Sequence, residues 1–233
     1  MKIVKNDLFD YKMRYIWQLE DGFKFSLDSL LLAEYVKLSN NKKILDMCTG
    51  NAPIPLVISL KTNSEIVGFE IQEDIANLAK MSVQENKLES QIRIINDDIN
   101  NIGNYYQEEY FDIITCNPPY FKKNSSLINM SDYKSIARHE VKIDLENIFK
   151  LSYKYLKSNG TLYMVHRPER LDEIIILANK YKINVKEIAL IVTNKTMIPS
   201  LVLVKCVKLS NLGIKFRKII DVSKCSTYQH IFE

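Results

Sequence analysis

The chain has 233 residues, of which 46% are hydrophobic and 26% are charged, a composition typical of one globular α/β domain with its own core. No apolar run approaches the roughly 18 residues of a membrane span, and residues 1–7 lack the apolar stretch of a signal peptide, so we expect a cytoplasmic protein. The four cysteines are widely spaced without a Cys-x-x-Cys pair and the three histidines stand far apart, which disfavours a disulfide framework and predicts no metal.

The net charge of +4 is distributed unevenly along the chain. Eight basic and two acidic residues lie between Lys186 and Lys224, so this segment has a net charge of +6 and the rest of the chain −2. A basic C-terminal third is typical of a surface that faces phosphates. A solvated lysine-rich surface explains the same composition equally well.

The first forty residues are predicted to form a cap and one helix. Residues 1–20 mix aromatic side chains with charges, a pattern that fits a short hairpin or an irregular cap. Residues 27–38 follow helical spacing, with Ser26 as the candidate N-cap. This helix is expected to pack on the edge of the sheet, and the resemblance to a known family given below implies that it can also act as a lid over a cofactor.

The first core strand, residues 43–47, ends in an acid and runs into a turn in which Cys48, Gly50 and Ala52 alternate. An apolar helix over residues 54–60 follows, with prolines near its start, where helix N–H groups lack partners. Strand, small-residue turn and helix in this order predict a nucleotide-cofactor site. The candidate contacts are Asp46, Thr49, Gly50 and Asn51.

The second strand, residues 65–70, also ends in an acid. Glu70 follows Gly50 by 20 residues, the offset expected of an acid that binds the ribose hydroxyls of a nucleotide. A helix over residues 72–86 carries its apolar side chains on one face. The pattern therefore predicts a second cofactor contact from the neighbouring strand.

The third strand covers residues 92–95 and is followed by Asn96, Asp97 and Asp98. An aspartate in this place either contacts the cofactor or caps a following helix. Residues 100–109 are predicted to form a polar loop or a short helix before the central strand.

The stretch Ile113-Ile114-Thr115-Cys116-Asn117-Pro118-Pro119-Tyr120 is the centre of the chain. Its apolar part predicts a buried central strand, which cannot continue through prolines that lack N–H donors. Asn117 and Tyr120 are therefore expected at the carboxyl end of a strand, where open α/β sheets bind ligands. The Asn117 side-chain oxygen and the Pro118 carbonyl can accept both N–H groups of an exocyclic amine, and Tyr120 offers a stacking face. A loop stiffened by Pro-Pro is the alternative.

The remaining elements complete a predicted α/β fold. Residues 144–156 form an amphipathic helix stopped by Asn159-Gly160, followed by a strand over residues 161–166 and a helix over residues 171–181. The β-rich runs at residues 185–192 and 201–207 are expected to pair antiparallel. They complete a seven-stranded, mostly parallel sheet with helices on both faces.

We predict one domain for residues 1–233. A cap and lid helix cover residues 1–40, a Rossmann-like core covers residues 41–208, and a basic tail covers residues 209–233. The oligomeric state stays open, with a monomer slightly favoured.

The Asn-Pro-Pro-Tyr motif at residues 117–120 resembles that of class I S-adenosylmethionine-dependent methyltransferases that modify planar amino or amide nitrogens. Three further segments resemble the bacterial tRNA1(Val) (adenine-37-N6)-methyltransferase family: residues 25–29 (Phe-Ser-Leu-Asp-Ser), 137–140 (Ala-Arg-His-Glu) and 166–170 (His-Arg-Pro-Glu-Arg). The likeness extends from about Gly22 to Val207. The turn departs from the family pattern, which has glycines where this chain has Cys48 and Ala52.

The resemblance implies methyl transfer from S-adenosylmethionine to N6 of an adenine in tRNA, at adenine 37 beside the anticodon, with S-adenosylhomocysteine as product. Asp46 would lie near the cationic sulfonium, Glu70 would bind the ribose, and Asp98 would accept from the adenine amino group of the cofactor. The implied catalytic residues are Asn117, Pro118 and Tyr120. The implied cofactor contacts are Asp46, Thr49, Gly50, Asn51, Glu70, Asp98 and Asn117. The implied RNA contacts are Lys122, Lys123, Arg138 and Arg167.

Other classes remain open. A protein-glutamine N5-methyltransferase would hold an amide at the same acceptors, but it usually carries an added N-terminal helical domain, and only about forty residues precede the cofactor turn here. A DNA adenine N6-methyltransferase is possible, although no target-recognition domain is visible. An RNA-binding relic of the fold is supported weakly by Cys48 and Ala52. The chain keeps the residues expected to bind the cofactor and those expected to bind the substrate amine, which argues against a relic.

Overall fold

A computed structural model describes residues 2–9, 11–20, 25–119, 143–193 and 197–232. The chain begins with a hairpin in which β1 (Ile3–Leu8) and β2 (Tyr11–Leu19) pair antiparallel. Of the two structures left open for the N-terminal residues, the hairpin is therefore correct.

Strands and helices alternate through the rest of the chain. The helices are α1 (Leu27–Tyr35), α2 (Pro53–Ile58), α3 (Glu73–Glu85), α4 (Leu145–Tyr155) and α5 (Leu171–Lys180). The long strands are β3 (Lys43–Asp46), β4 (Glu65–Glu70), β5 (Ile92–Asn96), β6 (Phe111–Cys116), β7 (Leu156–His166), β8 (Ile183–Val192) and β9 (Leu201–Lys208). Two short strands follow, β10 (Lys215–Phe216) and β11 (Ile220–Asp221). Short 3₁₀ helices cover Ile99–Asn104, Pro168–Arg170 and Val222–Lys224.

The long strands form one sheet in the order β5-β4-β3-β6-β7-β9-β8. The pairs from β5 to β7 are parallel, and β9 lies antiparallel between β7 and β8. The predicted seven-stranded, mostly parallel sheet and the antiparallel pair are thus confirmed. The sheet also gains β10 and β11, which pair parallel with β8, so that the described residues contribute nine strands to it. Strands of two residues carry no periodicity, so the sequence did not predict them.

Apolar side chains cover both faces of the sheet, because successive residues of a strand point to opposite sides. Ile44 packs in a cluster that includes α1 and α2, whereas its neighbour Leu45 packs in a cluster that includes α4 and α5. Helices therefore lie on both faces, as predicted. No helix within the described residues is long and apolar enough to cross a membrane.

One predicted helix end and one predicted stop signal are wrong. Helix α1 ends at Tyr35 and not at residue 38, because Val36 adopts an extended backbone with ψ of 122°. Helix α4 ends at Tyr155, within one residue of the predicted end at residue 156, but Asn159-Gly160 does not stop it. Leu156 already pairs with Phe111 of β6, so the chain enters the sheet directly after the helix, and Asn159 lies inside β7 with φ of +63°.

The C-terminal residues pack against the core. The Phe232 ring lies 5.1 Å from the ring of Tyr35 on α1, measured between centroids. Lys208, which ends β9, is buried and donates to Glu109 Oε1 and the Leu156 carbonyl, each at 2.7 Å. The basic tail thus contributes strands and core contacts as well as surface charge, and the division of the chain into cap, core and tail stays a prediction.

Candidate active site

The carboxyl ends of β3, β4 and β6 meet at one edge of the sheet. Asp46 of β3 pairs in register with Gly68 of β4 on one side and with Thr115 of β6 on the other. Glu70 ends β4, and Asn117 directly follows β6. Three predicted site residues therefore converge from three neighbouring strands, at the edge where open α/β sheets bind ligands.

Asp46 is fully buried and its carboxylate is hydrogen-bonded on both oxygens. Thr49 Oγ1 donates to Oδ2 at 2.8 Å, and Thr115 Oγ1 donates to Oδ1 at 2.7 Å. Burial raises the pKa of Asp46 to about 6, the two threonine bonds oppose the rise, and the charge of Glu70 adds to it. A cation near this carboxyl would favour its charged form, so the site attracts positive charge.

The turn between β3 and α2 has two residues in the left-handed conformation, Gly50 at φ of +56° and Ala52 at φ of +73°. Cys48 is not among the residues with positive φ. Cys48, one of the two departures from the glycine pattern, therefore does not require the left-handed backbone conformation that favours glycine. Only Ala52 adopts a conformation that a side chain disfavours.

Gly68 is a site residue that the sequence analysis missed. A Cβ atom there would lie 2.7 Å from Thr49 Oγ1, closer than real Cβ contacts allow. The absence of a side chain lets Thr49 lie across β4 and donate to Asp46. The available signal was a glycine inside an apolar strand, which often marks a close approach of another group.

Glu70 anchors the turn from the neighbouring strand. Its Oε2 accepts from the Gly50 N–H at 3.0 Å, and its Oε1 accepts from the Gln72 N–H at 2.9 Å. Burial raises the pKa of Glu70, and these backbone bonds oppose the rise. A carboxylate has about four acceptor sites, so Glu70 has the capacity to hold the turn and also accept from a diol.

Asp98 lies at the start of the 3₁₀ helix Ile99–Asn104 and caps it. Its Oδ1 accepts from the Asn100 N–H at 2.9 Å and from Asn100 Nδ2 at 2.7 Å. This is the capping geometry that the sequence left open as the alternative role. A cap on one carboxylate oxygen is compatible with a ligand on the other, and the cofactor contact stays a prediction.

Asn117 is half-buried and Pro118 is buried at the end of β6. Asn117 Nδ2 donates to Ser29 Oγ, on the first turn of α1, at 2.9 Å. The helix predicted as a possible lid thus contacts the residue predicted to accept from the substrate amine. Four other predicted site residues lie outside the described residues, and their roles stay predictions: Tyr120, Lys122, Lys123 and Arg138.

Arg167 follows β7, and its Nη1 donates to the Ser200 carbonyl at 3.2 Å. Its predicted RNA contact also stays a prediction. His166, the last residue of β7, is buried and its Nδ1 accepts from the Arg167 N–H at 2.8 Å. Burial and the positive charge of Arg170 lower the pKa of His166 to about 4, so the imidazole is neutral near pH 7.

Part of the basic charge of the C-terminal third is balanced inside the protein. Three of its cations pair with carboxylates: Lys208 with Glu109 at 2.7 Å, Arg217 with Glu187 at 2.9 Å and Lys224 with Asp221 at 2.9 Å. These pairs reduce the charge that is available for phosphates.

Two buried acceptors have no hydrogen-bond partner among the described residues, Asn51 Oδ1 in the turn and Gln18 Oε1 on β2. Asn51 Nδ2 donates to the carbonyl of Trp17 on β2 at 3.0 Å, so the hairpin contacts the turn. Buried acceptors without donors are uncommon in proteins. Asn51 Oδ1 therefore fits a ligand that brings N–H groups or positive charge.

The strand order, the acids that end β3 and β4, and the left-handed turn together define a class I methyltransferase fold. The structure is similar to a predicted O-methyltransferase from Agrobacterium tumefaciens, with a TM-score of 0.68 and 19% identity over 87% of this chain and 91% of the other. It is also similar to a geranyl diphosphate C-methyltransferase from Streptomyces coelicolor in complex with S-adenosyl-L-homocysteine, with a TM-score of 0.55 and 10% identity over 78% of this chain and 79% of the other.

The chain belongs to the methyltransferase domain family, which matches residues 38–217. Two similar curated relatives are tRNA1(Val) (adenine(37)-N6)-methyltransferases. The relative from Bacteroides thetaiotaomicron is 28% identical over 76% of this chain and 73% of its own length. The relative from Phocaeicola vulgatus is 24% identical over 94% of this chain and 87% of its own length. Within the described residues, no group of three or more His, Cys, Asp or Glu side chains could hold a metal ion.

Proposed function

We propose that this methyltransferase transfers a methyl group from S-adenosylmethionine to N6 of an adenine in tRNA, at adenine 37 beside the anticodon of tRNA1(Val). The curated relatives carry the name of this reaction. The observation that carries the proposal is the Asn117 amide at the carboxyl end of β6, held by α1 beside two buried acids. We also propose that the protein works in the cytoplasm.

For this reaction, the protein mainly has to orient the amine that receives the methyl group. The lone pair of the adenine amine is delocalised into the ring, so the nitrogen is a poor nucleophile. Asn117 Oδ1 and the Pro118 carbonyl would accept its two N–H groups and aim the nitrogen at the methyl carbon. Orientation of this kind can supply about 7 to 11 kcal/mol at best. No base is needed before the transfer, because the departing proton becomes acidic only afterwards.

The cofactor side fits the same reaction. S-adenosylmethionine supplies a methyl group on a cationic sulfonium. Asp46 would provide the compensating charge, Glu70 would accept from the ribose hydroxyls, and Asp98 would accept from the adenine amino group. The unpartnered acceptor of Asn51 suits the ammonium end of such a molecule. Tyr120 would stack on the base that is turned out of the RNA.

The test is methyl transfer from labelled S-adenosylmethionine to total tRNA, to DNA and to a protein extract in parallel, followed by nucleoside and amino-acid analysis. We expect N6-methyladenosine in tRNA and no label in the other two pools. Mapping of the labelled tRNA then tests position 37. Label in protein glutamine would replace the proposal with a protein-glutamine methyltransferase, and label in DNA adenine with a DNA methyltransferase.

A further inference from the structure

We propose that Ser29 is a positioning residue for the Asn117 amide. The Ser29 hydroxyl oxygen accepts from Asn117 Nδ2 and so directs Oδ1 towards the acceptor nitrogen. The inference rests on the proposed function, since it assigns Asn117 Oδ1 to the nitrogen that receives the methyl group.

The two ends of an amide have almost the same shape but opposite hydrogen-bonding character. If Asn117 were turned over, its Nδ2 would meet the N–H groups of the substrate amine and repel them. In the structure the bond is made by Nδ2, so Oδ1 lies at the end of the amide away from Ser29, and the bond holds the amide plane in this position. Ser29 Oγ lies 2.9 Å from Nδ2, and Ser29 is only 6% exposed, so water does not compete freely for the bond.

Ser29 can act in this way because α1 is held firmly against the sheet. One turn and a half further along the helix, the Glu34 carboxylate accepts from the Tyr11 hydroxyl and from Lys61 Nζ, both at 2.6 Å, and from the His230 N–H at 3.4 Å. These donors come from the hairpin, from the residues after α2 and from the C-terminal residues. Leu30, Leu31 and Leu32 are fully buried. The position of Ser29 is therefore fixed by contacts remote from Asn117.

The Ser29 hydroxyl does not serve as the cap of α1. The N-cap of α1 is Ser26, whose side chain makes no capping hydrogen bond. Ser26 lies one turn before Ser29 and offers the matched control, since Ser26→Ala removes the same hydroxyl from the same helix end without touching Asn117.

The test is a double-mutant cycle with Ser29→Ala, Asn117→Ala and both together. The rate of methyl transfer is measured with the acceptor that the wild-type protein labels. We expect Ser29→Ala to lower kcat about tenfold, the effect of one buried hydrogen bond. Its KM for S-adenosylmethionine and its cofactor affinity by calorimetry should match the wild type. Ser29→Thr keeps the hydroxyl and should restore most of the rate. In the Asn117→Ala protein, Ser29→Ala should cause no further loss.

A second measurement needs no substrate. The side-chain amide signals of Asn117 in a ¹⁵N–¹H correlation spectrum are identified by their absence in Asn117→Ala. They should shift in Ser29→Ala and stay in place in Ser26→Ala. Unchanged amide signals, an unchanged kcat, or an equal loss with and without Asn117 would overturn the positioning role. If the wild type labels an acceptor other than tRNA, the proposed function fails while the cycle on that acceptor still decides the role of Ser29.

Discussion

The proposed cofactor half and the proposed acceptor half of the site are built in different ways. On the cofactor side, Asp46 bonds to Thr49 and Glu70 bonds to the Gly50 backbone within one β-α-β unit, and Asp46 also accepts from Thr115 on the neighbouring strand β6. On the acceptor side, the bond from Asn117 reaches Ser29, which is 88 residues away in sequence and lies on a helix outside the sheet. The hydrogen bonds of the cofactor half thus join neighbouring strands of the sheet and their turn, and the acceptor half depends on how α1 docks.

This difference separates the effects that a mutation can have. A change within β3, β4 or their turn should alter cofactor affinity and leave the orientation of the acceptor amide intact. A change at Asn117 or in the support of α1 should alter the rate at saturating cofactor and leave cofactor affinity nearly intact. Variants in each half therefore test whether the two halves are energetically independent.

The largest effect is expected from Asn117→Ala on the acceptor side. The substitution removes the oxygen that we propose accepts from the substrate amine, so kcat should fall about 10²- to 10³-fold, as for other groups that contact reacting atoms. Cofactor affinity measured by calorimetry should stay within about tenfold of the wild type, because the loss of one neutral hydrogen-bonding group costs little binding. Equal losses in both quantities would show that the two halves are not separate.

Asp46→Asn should have the next largest effect, and it acts in opposite directions on stability and binding. The folded pKa of about 6 lies above the ordinary value of 3.8, so the neutral carboxyl is the stabilising form. The stability that it confers is present in full below about pH 3.8 and is lost as the pH rises through about 6. Asparagine stays neutral, so the variant should gain roughly 2 to 3 kcal/mol of unfolding free energy at pH 8.

The same substitution should weaken cofactor binding at pH 8, because the compensating negative charge is gone. In the wild type, affinity should fall as the pH drops through about 6, where Asp46 takes up a proton. Glu70 is present in both proteins, so the difference between their curves of affinity against pH isolates the effect of protonating Asp46. Parallel curves, or a variant that is less stable at pH 8, would contradict the assigned charge.

Gly68→Ala should disturb the cofactor half through packing alone. The new methyl group would lie 2.7 Å from Thr49 Oγ1, so Thr49 must move and its bond to Asp46 is strained. We expect a loss of about 1 to 3 kcal/mol of unfolding free energy, the usual result of overpacking, together with weaker cofactor binding. At saturating cofactor, kcat should be close to that of the wild type.

Gly103→Ala is the matched control for this effect. Its Cβ would lie 3.0 Å from the Tyr155 hydroxyl, at the free end of a side chain and outside the site. It should leave cofactor affinity unchanged. A similar loss of affinity in both variants would mean that Gly68 acts through general stability rather than through Thr49.

The cofactor half of the site was also the half that the sequence predicted in more detail. The strands that carry Asp46 and Glu70 were predicted because each is a short apolar run that ends in an acid, and the offset of Glu70 from Gly50 is set by the length of one β-α-β unit. The role of Gly68 was not predicted, because a glycine in a strand does not show that the Thr49 side chain packs against it. Asn117 was found from the two prolines after a strand.

Contacts between distant elements left no pattern in the sequence. The bond from Asn117 to Ser29 and the bond from Asn51 to the Trp17 carbonyl depend on how α1 and the hairpin dock, which no fixed spacing encodes. The misplaced stop signal of α4 has a related cause, because Leu156 pairs with Phe111, which is distant in sequence. Long strands and amphipathic helices were predicted well, since burial of one face imposes a period on the sequence.

The smallest effect is expected from Ala52→Gly, in the turn where this chain departs from the family pattern. Ala52 holds φ at +73°, a conformation that costs a residue with a side chain roughly 1 kcal/mol and costs glycine nothing. Its methyl group is fully buried, however, and loss of that packing removes a comparable amount of free energy. The two contributions nearly cancel, so the melting temperature and the cofactor affinity should both stay close to the wild-type values. A marked gain in affinity would show that the alanine distorts the turn, and the cofactor half would then be less well formed than its hydrogen bonds indicate.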